Sequence, residues 1–125
     1  MWKRKILVFL VFSVLVCSGS DGFADDKVDL QLTADFMGKY IWRGQNLSDD
    51  PVFQPGLSAS YKGLTAVIWG NLETTGINNN SGEFTELDYS LDYSGDFPGL
   101  KGIGYSVGLI NYHFPSVVGD TTEFY

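Results

Sequence analysis

The chain has one cysteine and one histidine in 125 residues, four prolines, and eight Lys or Arg against fifteen Asp or Glu. Each shortage excludes something. Cys17 alone cannot build a disulfide framework, and with His113 as the lone histidine there is no Cys/His zinc constellation. A formal net charge of −7 argues against nucleic acid and anionic lipid as partners. No apolar run reaches the roughly twenty residues that a membrane helix needs. If this chain enters a membrane, it must do so with strands.

What is present begins with an export signature. Lys3, Arg4 and Lys5 form a basic head, an apolar segment runs from Ile6 to Val16 broken only by Ser13, and small or polar residues lead to Ala24 ahead of Asp25-Asp26. That order describes a helical secretory signal peptide over residues 1–24, cut after Ala24 with Gly22 as the second small residue. Eleven residues are too few for an anchor helix. Lipidation at Cys17 would want a small residue before it, where Val16 stands. Without its leader, residues 25–125 carry five Lys or Arg against fourteen Asp or Glu, a formal charge of −9, and no cysteine.

After the leader, alternation replaces helical periodicity. From Val28 to Arg43 the even positions are Val28, Leu30, Leu32, Ala34, Phe36, Gly38, Tyr40 and Trp42, while the odd ones are mostly polar, including Asp29, Asp35, Lys39 and Arg43. Side chains alternate faces along a strand, so the segment has one apolar and one polar face. Read as one strand it spans sixteen residues, far beyond the usual length of about five or six and suited to a tilted barrel stave. Shorter alternating runs follow at 53–61, 64–73, 85–94 and from Ile103, and Thr122 to Tyr125 opens another. In the third run Leu64, Ala66, Ile68, Gly70 and Leu72 form the apolar set, with Thr65, Val67, Trp69, Asn71 and Glu73 opposite. Long polar connections at 44–52 and 74–84 bracket the tight turn at Lys62-Gly63. Outer-membrane barrels alternate short periplasmic turns with longer external loops in this way. The eight-residue connection Gly95–Gly102 is longer than that pattern prefers.

Catalytic and metal chemistry find little support. No nucleophile motif surrounds Ser106 or Ser116, the serines nearest His113 in sequence. Asp49-Asp50 and the run Asn78-Asn79-Asn80 lack the ligand offsets of a calcium loop. The reading is of no enzyme, no metal and no cofactor. Aromatic rings are plentiful, and interface belts of a barrel wall suit them. Tyr40 and Trp42 fit a belt at the loop end of the first strand, and Tyr93 and Tyr105 fit one beside the fourth connection.

One segment resembles a known family. Lys39-Tyr40-Ile41-Trp42-Arg43-Gly44, with Ser48, Asp49, Pro51, Gln54 and Gly56 after it, is similar to the first hairpin of the TorF-like outer-membrane porin family. The motif residues are Tyr40, Trp42, Arg43, Gly44, Pro51 and Gln54; Lys39 stands where the family usually has an aspartate, and Pro55 where a glycine is common. The resemblance implies an outer-membrane barrel longer than this chain, a porin without catalytic residues.

The expected fold is all-β: an antiparallel up-and-down transmembrane barrel, incomplete here, with about five strands and the start of a sixth where closed barrels begin at eight. The expected function is passive diffusion of small polar solutes or ions across the bacterial outer membrane. Asp29, Asp35, Lys39, Arg43, Glu86, Asp88 and Asp92 would face the lumen, and their acidic excess favours cations. Expected partners are outer-membrane lipid, those solutes, and the export and barrel-assembly machinery. A non-conducting structural or adhesion barrel ranks second and a soluble periplasmic β-sandwich binding protein third.

Overall fold

The computed structural model describes residues 12–13, 27–77 and 79–125. The strands are β1 (Phe12–Ser13), β2 (Asp29–Met37), β3 (Tyr40–Trp42), β4 (Gln45–Ser48), β5 (Val52–Tyr61), β6 (Leu64–Glu73), β7 (Phe84–Asp96), β8 (Gly104–His113) and β9 (Thr121–Phe124). They form one seven-stranded antiparallel sheet in the order β1-β2-β5-β6-β7-β8-β9, with β3 and β4 as a separate hairpin. From β5 onward each strand pairs with the next in sequence, an up-and-down meander. The sheet is open. Of the expected leader only Phe12–Ser13 is described, as extended chain beside Asp35 and Phe36 rather than helix; the rest of it, with the cut after Ala24, lies outside the described residues.

The register sorts side chains into two faces. Asp35 pairs with Gln54, Gly56 with Trp69, Trp69 with Asp88 and Asp88 with Tyr112, so these share one side. Leu32, Leu57, Ile68, Tyr89 and Asn111 line up across the other. In the third run Ile68 lies on the apolar face and Trp69 on the polar one, as the alternation had it.

Burial is inverted with respect to a water-soluble protein. Ser48, Asp50, Gln54, Asn71, Glu73 and Glu86 are buried, while Leu32 is 62% exposed, Leu57 48% and Ile68 51%. The exposed apolar side continues through Leu30, Phe36, Leu64, Leu91, Tyr93 and Val107. Soluble monomers rarely expose contiguous apolar patches beyond a few hundred Å².

The sixteen-residue first strand is corrected. Hydrogen bonding along β2 stops at Met37, the chain bends at Gly38-Lys39, and Tyr40–Trp42 pairs with Gln45–Ser48 instead. The cause lies in the turn. Arg43 and Gly44 both have positive φ, 46° and 79°, the signature of a type I′ hairpin. The stretch read as a long loop from Gly44 therefore starts with β4. Between β5 and β6, Lys62 and Gly63, at φ 48° and 84°, make the same kind of turn, as expected there. The fourth connection shortens to 97–103 and is stapled internally, with the Phe97 N–H donating to Ile103 O and the Leu100 N–H to Phe97 O.

Candidate functional site

The β3–β4 hairpin leaves the plane of the sheet and crosses its polar face. Successive residues meet successive strands. The Tyr40 ring packs on Trp69 of β6 at 5.8 Å, and its hydroxyl donates to Glu86 of β7. Trp42 meets Tyr112 of β8 edge-on at 5.8 Å. Arg43, at the tip, reaches β9, where Nη1 and Nη2 donate to both carboxylate oxygens of Glu123 at 2.9 and 2.7 Å. The guanidinium also lies 4.4 Å over the Trp42 ring, and Tyr112 Oη donates to Glu123 Oε2 at 2.9 Å. A hairpin rooted beside β2 thus spans the sheet to its far edge.

The return strand is fixed through a polar core. Ser48 Oγ donates to Glu73 at 3.1 Å, the Asp50 N–H donates to Ser48 Oγ at 3.3 Å, and Thr75 Oγ1 donates to Asp50 at 2.7 Å. Beneath, Gln54 Nε2 donates to Asn71 Oδ1 and Asn71 Nδ2 to Thr85 Oγ1, both at 2.9 Å. Pro51 contributes its carbonyl, which accepts from Thr74 Oγ1 at 2.5 Å. Buried polar groups left without partners cost about 1–3 kcal/mol each, so this network specifies where the hairpin sits. One buried oxygen, Asp88 Oδ1, has no partner among the described residues.

At the hairpin's root Lys39 Nζ and Asn46 Nδ2 both donate to Asp49 Oδ1, at 2.5 and 2.7 Å. These two donors hold the Asp49 carboxyl below the usual carboxylate range. Tyr40 is shifted the other way, well above an ordinary phenol, first by burial and then by the neighbouring Glu86 carboxylate.

The seven residues expected to face a lumen divide accordingly. Asp29, Asp35, Glu86, Asp88 and Asp92 share the polar face by register. Lys39 and Arg43 belong to the hairpin rather than the wall, since β2 ends before either. The belt expected at Tyr40 and Trp42 is likewise corrected: both rings are turned onto the polar side, where burial against Trp69 and Tyr112 outweighs continued alternation. Tyr93, Tyr105 and Phe97 do form a ring cluster beside the fourth connection, at 6.2 and 5.2 Å. Alternation alone missed Trp69, Tyr112 and Glu123 as hairpin contacts; nothing in their spacing announces a partner so far away in sequence.

His113 Nδ1 pairs with Asp120 at 2.8 Å. Ser106, seven residues back along β8, hydrogen-bonds Asp92, and at about 3.3 Å per residue it lies roughly 23 Å from His113. Among the described residues no group of three or more His, Cys, Asp or Glu could hold a metal, and no helix is long and apolar enough to cross a membrane. Comparison with family models, curated proteins and solved structures finds no match for the chain.

Proposed function

We propose that this chain forms part of the wall of a bacterial outer-membrane β-barrel that admits small polar solutes and ions by passive diffusion, reached after export by a cleaved signal peptide. The observation that carries the reading is the inverted burial. Without the leader strand β1, the six antiparallel strands β2 and β5 to β9 expose a mostly apolar side and keep Asp29, Asp35, Glu86, Asp88, Asp92 and Glu123 on the other. Lipid against the first side and water against the second is the arrangement in which such a sheet is stable, because hydrocarbon tolerates strands only when their backbone bonds are satisfied and the lipid-facing side chains are apolar. Closure needs at least about eight strands, so the open sheet described here is completed by further ones. The ring cluster of Tyr93, Tyr105 and Phe97 suits an interface belt on the turn side. The resemblance of the Tyr40–Gly44 segment to the TorF-like porins agrees with this reading.

A second reading, a closed structural barrel, is favoured by one feature: the hairpin across the polar face. Fractionation and planar-bilayer recording of the full-length gene product separate the two. Recovery from the outer membrane with stepwise conductance is expected; recovery without conductance selects the structural barrel, and recovery in the soluble periplasm overturns both.

A further inference from the structure

We infer that the β3–β4 hairpin is a strap latched shut at its tip by Arg43 on Glu123, and that this latch sets how wide the aqueous path stands. The inference rests on the barrel reading for its consequence, though not for the latch itself.

Three observations carry it. First, the hairpin's root and tip are held differently. The root is seated by Tyr40 on Trp69 and Glu86 and by buried Ser48 on Glu73. The tip is exposed and touches the sheet's far edge through the Arg43 fork on Glu123. Second, the contact between is incomplete. A cavity of about 280 Å³ lies between hairpin and wall, lined by Trp42, Gln45, Tyr112, Phe114 and Glu123. Close packing near the tip is therefore confined to Trp42 against the edge of Tyr112, and the Arg43 fork on Glu123 supplies the polar anchoring beyond it. Third, the two oxygens of Glu123 meet two guanidinium nitrogens and the Tyr112 hydroxyl. Such a bidentate, shared carboxylate is more strongly directional than an ordinary surface pair. Because the hairpin runs crosswise over β6 to β9, lifting its tip uncovers polar face over several strands at once.

The sequence contains its own control. Trypsin cuts after Arg and Lys, and the molecule has two basic-glycine hairpin turns of like geometry, Arg43-Gly44 at the hairpin tip and Lys62-Gly63 between β5 and β6. In the folded full-length protein in detergent, Glu123→Gln should speed cleavage at Arg43 by roughly threefold or more, the scale of a lost exposed ion pair, and leave cleavage at Lys62 unchanged. Unchanged cleavage at Arg43, or an equal rise at both turns, overturns the latch. The consequence is tested by conductance: Arg43→Glu and Glu123→Arg should each raise it, and the double exchange should restore the wild-type level by re-forming the pair in reverse. Conductance indifferent to both single variants overturns the strap's control of the path. If every form is silent while the cleavage pattern holds, the latch stands and the pore reading falls.

Discussion

At the residue scale, the hairpin depends on a few side chains whose removal has separable effects. Gly44 sits at φ 79° with open space where a Cβ would go, so any penalty for Gly44→Ala is conformational rather than steric. It should destabilise the folded protein by about 1 kcal/mol, whereas Gly76→Ala, equally open and not in the left-handed region, should be near neutral; urea midpoints of the two compare directly. Tyr40→Phe is a cleaner probe of the polar core. The ring stays on Trp69 while the buried Glu86 carboxylate loses a donor, a loss of about 1–3 kcal/mol. The pH dependence has a definite sign. Burial and Glu86 raise the Tyr40 phenol above its ordinary value, so the folded state retains this proton longer than the unfolded chain. The stabilisation is whole below about pH 10, the unfolded phenol's range, and is lost as pH climbs beyond it. Unfolding midpoints at about pH 9 and about pH 11 should therefore diverge more in wild type than in Tyr40→Phe; equal slopes would show that the phenol is not the group responsible.

At the element scale, each sheet strand should report two environments on adjacent residues. Leu57 and Ser58 lie mid-strand in β5, one on each face. In full-length protein folded into lipid vesicles, Leu57→Arg should cost about 2–4 kcal/mol and Ser58→Arg far less. Equal costs would remove the lipid-facing assignment. These faces were legible in the sequence because period-two alternation is strong wherever one side is uniformly apolar, as in Leu87, Tyr89, Leu91 and Tyr93 against Glu86, Asp88, Ser90 and Asp92. The broken first strand was not, for a physical reason. Tyr40 and Trp42 keep the parity of Leu32 and Phe36, so alternation passes through the bend at Gly38-Lys39 undisturbed. One local signal was available: Arg43-Gly44 between aromatic and polar β-formers matches Lys62-Gly63, which alternation did read as a turn. What no local signal carries is the destination of the hairpin. The contact of Arg43 with Glu123 joins residues 80 apart, and that of Tyr40 with Trp69 joins strands that are not neighbours in the sheet.

At the scale of the whole molecule, the charges on the polar face determine what a pore built from it would pass. The two basic residues expected there are both neutralised, Lys39 by Asp49 and Arg43 by Glu123. Two of the carboxylates beneath have uncharged donors instead: Glu73 has Ser48 and Asp92 has Ser106. Neutral donors orient a carboxylate without cancelling its charge, so the face keeps an acidic potential that pairing with bases would have removed. Fixed negative charge along a narrow aqueous path concentrates cations and repels anions. A reversal potential measured across bilayers under a salt gradient should therefore lie on the cation side. The preference should shrink as salt rises, because the screening length falls from about 10 Å at 0.1 M to about 3 Å at 1 M. Asp29→Asn separates this cause from the strap, since Asp29 lies on the polar face in β2, with β5 to β8 between it and Glu123 of β9. The variant should reduce cation preference while leaving trypsin cleavage at Arg43 as in wild type. Anion preference in the wild-type protein would mean that charges on the completing strands dominate the constriction and that the acidic face described here does not set the selectivity.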